Sequence, residues 1–338
     1  MDVAQAAGVS VKTVSRVINR EPHVREKLVA KVEAAIASLG FVPNSAARSL
    51  AGTRSFVIGA FFDNPSPFYL ATLQAGAMQA CRAAGYHLII EQLDLKDEAA
   101  LGRFEQTLRT VRLDGAILSP PVTDNPRVLA LLETRGIPCV RLAPLTEPER
   151  SPALWADDEA GASAIARHLC ELGHRHIGFV AGPPDHGASA RRRAGFYTEL
   201  ERRGVSVSSL VVVEGDFSFD SGMAAGMELL GGHPQLTAVF AANDDMAAGV
   251  LAAAARLKIS VPEDVSVAGF DDSPAATFTW PQITTARQPI ADMSAAAARM
   301  LIEKGAPKTI SVAPFPVMLI ARGSTGPSRD IVRQRGKS

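Results

Sequence analysis

The stretch VSVKTVSRVIN, Val9 to Asn19, decides how the rest of the chain is read. Ser10 is a good N-cap, because its hydroxyl can accept an orphan amide of the following turn. Val11, Val14, Val17 and Ile18 then recur at i, i+3, i+6 and i+7, which predicts one inward helical face. Lys12, Thr13, Ser15, Arg16 and Asn19 are left on the other faces. Upstream, DVAQAA predicts a short helix from Asp2 to Ala7, and Gly8 supplies a turn residue tolerant of positive φ. Downstream, REKLVAKVEAAIASLG predicts a third helix with Leu28, Val32, Ala35, Ile36 and Leu39 inward and Gly40 as its stop. Helix, glycine turn, helix with a basic and hydroxylated face, third helix: this is a helix-turn-helix unit. Lys and Arg suit guanine edges and phosphates, whereas Thr, Ser and Asn suit phosphates and adenine. The expected partner is double-stranded DNA.

Charge agrees with that reading. The 338-residue chain is formally neutral, yet residues 1–54 hold eight Lys and Arg against four Asp and Glu, a net +4. The remainder therefore carries −4, so a small basic unit precedes a mildly acidic larger one. The length exceeds one ordinary core, and 47% apolar residues mark a globular chain. No window is long and apolar enough for a membrane helix. The start MDVAQAAGVS does not read as a signal peptide. Cys81, Cys139 and Cys170 are widely separated and odd in number, which indicates neither a disulfide framework nor a zinc site. A reducing cytoplasm, at the nucleoid, is the expected setting.

DVAQAAGVSVKTVSRVIN, followed by FVPNSAARSLAGTRS, resembles the LacI/GalR family of bacterial transcription regulators. The resemblance implies that Val11, Lys12 and Arg16 occupy base-reading positions, with Thr13, Ser15 and Asn19 holding phosphates or the helix frame. In the family a few residues, among them a threonine capping the first helix, precede the DVA segment. Met1 here stands directly before Asp2, so either the start codon lies upstream or the first helix lacks its cap, a loss of about 1 kcal/mol. Asn44 after Pro43 reads as another N-cap, and SAARSLA is about two turns, marginal as an isolated helix. By resemblance, residues 43–54 form a hinge helix that orders when two subunits lie side by side on a pseudo-palindromic operator. Leu50 would wedge into the minor groove with Arg48 beside the backbone.

From Ser55 the texture changes. SFVIGAFF, YHLIIEQ, DGAILSP and PCVRLA are short β-rich runs with helical stretches between them. HIGFVAG, LVVVEG, TAVFAAN and VSVAGFDD repeat the alternation. This predicts parallel sheets covered by helices, in two successive α/β lobes with a ligand cleft between them. The architecture resembles that of periplasmic sugar-binding proteins. The expected divisions are a helix-turn-helix domain over 1–42, the hinge over 43–54, and a two-lobed effector-binding and dimerisation core over 55–325. Lobe 1 takes about 55–155 and 287–314, and lobe 2 about 156–286 and 315–325. A flexible polar tail follows over 326–338.

Candidate effector residues sit where strands end. By resemblance Phe68 and Tyr69 face the effector, Arg192 clamps it, and Phe217 is an aromatic platform. Asp63, Asn64, Ser189 and Arg191 are neighbours; Asn243, Asp244, Asp271 and Gln288 add amides and carboxylates. Such groups around flat apolar rings suit a neutral polyhydroxylated ligand, a sugar, with a nucleoside or purine as the alternative. Trp280 either shields the cleft mouth or packs at the lobe crossover.

Enzyme classes find no support. No G-x-G-x-x-G segment follows any of these strands, and neither a G-x-S-x-G elbow nor an H-E-x-x-H helix occurs. His174 and His176, at i and i+2 beside no third ligand, read as a structural turn. No cofactor and no metal are expected. A transport-type solute-binding protein would share the lobes but not the helix-turn-helix. SRDIVRQRGKS carries no leucine heptad, which predicts a homodimer and not a tetramer. In the family most members are repressors released by a sugar inducer, and some need a corepressor.

Overall fold

The computed structural model describes residues 2–18, 24–41, 54–303 and 314–330. Asn19, Arg48, Leu50 and almost all of the expected hinge helix lie outside them. Two compact units divide at Phe56 and Val57.

In the N-terminal unit, helices α1 (Asp2–Ala7), α2 (Val11–Ile18) and α3 (Glu26–Leu39) enclose Val3, Ala7, Val14, Val17, Val32 and Ala35. Gly8 makes the turn with φ of 63°. The Ser10 hydroxyl accepts from the Thr13 amide at 3.1 Å. Three expected core residues fall outside this core, among them the half-buried Leu28. Val11 is 62% exposed and Leu39 48% exposed. Val11 lies off the centre of the Val14–Val17 stripe, and helices of six and eight residues are too short to cover all fourteen of α3.

The second unit holds two parallel sheets. β1 (Val57–Phe62), β2 (His87–Gln92), β3 (Gly115–Leu118), β4 (Cys139–Leu142) and β5 (Ala153–Leu154) form the first, in the order β2-β1-β3-β4-β5. Helix α4 (Pro67–Ala83) packs against α12 (Ile290–Ile302) over this sheet, while α5 (Ala100–Thr110) and α6 (Pro126–Thr134) bring Phe104, Leu108, Val128 and Leu132 to Phe61 and Leu118. The second sheet comprises β6 (Ile177–Ala181), β7 (Val211–Glu214), β8 (Ala238–Ala241) and β9 (Ser266–Ala268), in the order β7-β6-β8-β9. It is flanked by the helix pairs α7 (Asp158–Glu171) with α8 (Gly187–Arg202) and α9 (Phe219–Gly232) with α10 (Asp244–Arg256). Central strands β3, β6 and β8 are buried at every residue, as parallel strands covered on both faces must be. The runs read as strands from their composition all form strands. A short helix α11 (Pro274–Phe278) follows β9.

The chain crosses between lobes at 155–158, 287–290 and 314–317. β10 (Thr285–Arg287) and β11 (Met318–Ile320) pair antiparallel beside the crossings. Asp272, held with φ of 57°, ties both by accepting from Arg287 at 2.6 Å and Arg322 at 2.5 Å.

The expected flexible tail begins too early at 326. Ser328 is fully buried and donates its amide to the Leu172 carbonyl at 2.8 Å, and Arg329 bonds the Leu236 carbonyl at 3.2 Å. The buried His174 explains the docking. Its ring bridges Thr237 Oγ1 at 3.0 Å and the Gly326 carbonyl at 3.0 Å. Burial pushes its pKa down to about 4, so the ring is neutral and structural. Among the described residues no helix is long and apolar enough to cross a membrane, and no cluster of three or more His, Cys, Asp or Glu could hold a metal ion.

Candidate effector cleft

A small cavity lies where the strands of both lobes end. It is narrow, with about 40 Å³ of room for water-sized groups. Lobe 1 contributes Tyr69 from the first turn of α4, Pro120 after β3, and Leu142 and Ala143 at the end of β4. Ser66 caps α4 by accepting from the Tyr69 amide at 3.3 Å, and the Asn64 side chain accepts from the Ser66 amide at 2.8 Å. Lobe 2 contributes His186, Arg192, Phe217, Asn243 and Asp271, and Gln288 arrives on the second crossing.

Arg192 is the hub. It is 4% exposed, and its Nε donates to Asp158 Oδ1 at 2.9 Å. Nη2 stands 3.3 Å from Asp271 Oδ1, Nη1 donates to the Ala242 carbonyl, and the guanidinium carbon lies 3.9 Å from the centroid of the Phe270 ring. Burial alone would lower the arginine pKa; the carboxylates of Asp158 and Asp271 outweigh it and raise the pKa. Burial raises Asp271 to about 6, against the opposing pull of Arg192 and of the Gln288 amide, which donates to its Oδ1 at 2.5 Å. Burial, then the nearby Asp271, pushes the Tyr69 phenol far up, so it stays neutral and can donate. His186, lowered by burial, is a neutral ring packed edge-on to Phe217 at 5.2 Å. Two carboxylates, the guanidinium of Arg192, that of Arg191 at 3.7 Å from Asp158 Oδ2, a phenol, an amide and a neutral imidazole form a polar wall with an aromatic floor. Such a site offers directional hydrogen bonds and little unbalanced charge.

Several expected residues stand elsewhere. Phe68 does not face this cavity. It neighbours Tyr69 on α4, and successive helical residues point about 100° apart. Its ring instead meets Phe278 at 5.6 Å in an apolar groove that Phe219 and Trp280 also line. Trp280 is 91% exposed there and covers neither the cavity nor the crossings. Asp63 accepts from the Leu95 amide at 3.0 Å and holds a loop. Asp244 is wholly buried, accepting from Thr285 Oγ1 at 2.6 Å and the Ser273 amide at 2.7 Å. Asn243 lines the cavity with its side chain already committed. Its Oδ1 caps α10 through the Met246 amide at 3.0 Å, and its Nδ2 donates to the Phe217 carbonyl at 2.9 Å. Ser189 is buried, and Arg191 reaches the Pro144 carbonyl at 3.4 Å.

Two residues were not singled out from the sequence: Asp158, the first residue of α7, and His186, the N-cap of α8. Both stand at helix starts just after the chain enters or turns at a lobe, which was the available signal.

On the N-terminal unit, Val11, Lys12 and Ser15 are exposed along α2, while Thr13 and Arg16 are half-buried. Thr13 Oγ1 lies 2.9 Å from Ser10 Oγ.

Comparison with known proteins covers both units. Residues 1–44 match the model of bacterial regulatory proteins, lacI family, and residues 166–325 match a periplasmic binding protein-like domain. The ribose operon repressor of Escherichia coli (strain K12) is 33% identical over 304 residues, spanning 90% of this chain and 92% of that protein. The HTH-type transcriptional repressor PurR of Escherichia coli O1:K1 / APEC is 33% identical over 344 residues, spanning 98% of each. The crystal structure of the lac repressor dimer bound to operator and the anti-inducer ONPF aligns with a TM-score of 0.75 at 29% identity, covering 96% of this chain and 98% of that one. The match at residues 1–44 weighs against a transport-type binding protein, which has no such unit.

Proposed function

This chain belongs to the lacI family of bacterial regulatory proteins, a DNA-binding transcriptional regulator under effector control, and from that premise we propose that it is a homodimeric repressor of carbohydrate-utilisation genes, working in the cytoplasm at the nucleoid and not as an enzyme. Its effector is a small sugar-like molecule held by Tyr69, His186, Arg192, Phe217, Asp271 and Gln288. The observation that carries this reading is the Arg192 guanidinium, buried at the cleft between Asp158 and Asp271 with the Phe217 and His186 rings beside it. Hydroxyls need paired donors and acceptors, and sugar C–H faces need a ring to lie on. Asn243 acts by holding the Phe217 loop. Phe68 drops out of the effector set.

Val11, Lys12 and Arg16 read bases, with Thr13, Ser15 and Asn19 on phosphates or the helix frame, and Leu50 wedges into the minor groove with Arg48 beside the DNA backbone. The second copy covers the apolar face of Phe219, Phe278 and Trp280, which are 47%, 65% and 91% exposed. The solved lac repressor relative is a dimer on its operator, which supports that occupant.

A thermal-shift screen of pentoses, hexoses, disaccharides, nucleosides and purine bases tests the effector class. A ligand that binds the native state alone raises the melting temperature by mass action. A pentose or hexose that shifts the melt by several degrees, and changes operator affinity in a titration, is the expected result. A hit among purine bases with none among sugars would replace the sugar reading by the purine alternative.

A further inference from the structure

Besides the three crossings, the lobes touch at both rims of the cleft. At one rim the Ser66 hydroxyl of lobe 1 donates to the Asp245 carboxylate of lobe 2, and the Phe68 and Phe278 rings meet at 5.6 Å. At the other rim the start of α8 presses on the end of β4. A Cβ on Gly187 would stand 2.6 Å from the Ala143 carbonyl oxygen and 3.0 Å from that of Pro144. The first is closer than a carbon and a backbone oxygen tolerate, and the second is tight. The φ of Gly187 is not left-handed, so its own conformation would accept an alanine; within its own lobe only the flexible end of Arg191, at 3.1 Å, would have to give, and the backbone of the opposite lobe forbids one. Arg191, one turn along α8, completes the contact by donating to the Pro144 carbonyl.

The opposite surface cannot yield cheaply. Arg141, wholly buried in lobe 1, donates to the Thr146 carbonyl at 3.0 Å, to the Glu147 carbonyl, and to Ser151 Oγ at 3.2 Å. Asp124 accepts from the Leu145 and Thr146 amides at 2.9 Å each. The loop that carries Ala143 and Pro144 is therefore braced from behind, and His186 beside Gly187 and Ala143 itself both line the cavity.

We propose that Gly187 sets how far the two lobes close: the missing side chain lets α8 seat on the braced Ala143–Pro144 carbonyls, and the Ser66–Asp245 bond latches the opposite rim. The effector response proposed above rests on the same hinge, but the seat is a property of the chain alone. Any side chain at position 187 props the lobes apart and shifts the equilibrium toward the open arrangement without touching the core of either lobe.

The test needs no effector, so its failure and that of the sugar reading are distinguishable. Spin labels at Gln106→Cys on α5 and Glu201→Cys on α8, in the full chain carrying Cys139→Ser, report the lobe separation by pulsed electron-spin resonance. Labelled chain is diluted into unlabelled chain so that only distances within one chain are read. Gly187→Ala is expected to move the open-to-closed ratio on the order of tenfold toward longer distances, with Asp245→Ala moving it a few-fold the same way. The Gly187→Ala protein is expected to melt cooperatively within a few degrees of the parent. A distance distribution that superimposes on the parent's would overturn the proposal. Loss of cooperative melting would overturn it as well, because a contact made only between lobes cannot cost either lobe its fold.

Discussion

Lys12 and Arg192 are both cations read as binding residues, and the molecule treats them oppositely. Lys12 stands exposed on an eight-residue helix whose core is made by Val14 and Val17 on the other face. Arg192 is buried, bonded to Asp158, facing Asp271 and covered by the Phe270 ring. In the N-terminal unit, then, the side chains proposed to bind differ from those that fold the unit. In the proposed effector cleft they coincide. A substitution on α2 should read out almost purely on DNA, whereas one in the cleft must move stability and response together.

The largest expected effect tests that contrast directly. Arg192→Ala leaves the buried Asp271 carboxylate without its guanidinium and Asp158 with only Arg191 at 3.7 Å, and breaking such a buried pair costs about 3–5 kcal/mol. Calorimetry should show the core melting many degrees lower, and the effector response should vanish with it. A variant that keeps the parent melting temperature would break the comparison, since Arg192 would then be as dispensable to the fold as Lys12.

Next comes the apolar face. Trp280→Ser should weaken the dimer by about 2 kcal/mol or more, the loss expected of an aromatic anchor, while leaving the monomer fold intact. Sedimentation over a dilution series measures it. A dimer constant unchanged by the substitution would place the second copy elsewhere.

Lys12→Ala should cost roughly 1–3 kcal/mol of operator affinity if the side chain reads a base, with preference relaxed at one position per half-site. The melting temperature should stay within the range of a surface substitution, about 0.5 kcal/mol. An equal loss on all DNA sequences would make Lys12 a phosphate contact.

The smallest effects are pH slopes within lobe 2, and they have opposite signs. Asp271 has its folded pKa raised to about 6, above the ordinary ~3.9, so the folded state holds that proton more tightly. Its contribution to stability is full below the ordinary value and lost as pH rises through about 6. His174 is lowered to about 4 from the ordinary ~6.5; its contribution is full above the ordinary value and lost as pH falls toward about 4. Urea midpoints across this window should become steeper in the acid-sensitive sense for Asp271→Asn, and flatter in that sense for His174→Gln. Parallel profiles for the two variants would contradict both assignments.

What could be read without coordinates was what repeats locally. Helical spacing in Val14–Val17 and Val32–Ala35, a Ser10 cap and a Gly8 turn are rules that span a few residues, and each holds in the structure. The alternation of β-rich runs with helical stretches is equally local, and it determined two parallel α/β lobes. Cavity membership is not local. Phe68 and Tyr69 are neighbours in sequence, yet one meets Phe278 and the other lines the cleft, because the helix turns about 100° between them. Asp158 and His186 joined the site through folding, and Asn243 was taken up by a cap and a loop carbonyl before any ligand could claim it. The stretch from Gly326 to Asp330 looks like a loose polar tail until His174 is found beneath it. The two lobes meet through Ser66 and Asp245, 179 residues apart. No periodicity encodes such a pairing: it follows from where whole elements pack, and burial then fixes which side chains are held, which titrate abnormally and which remain available to bind.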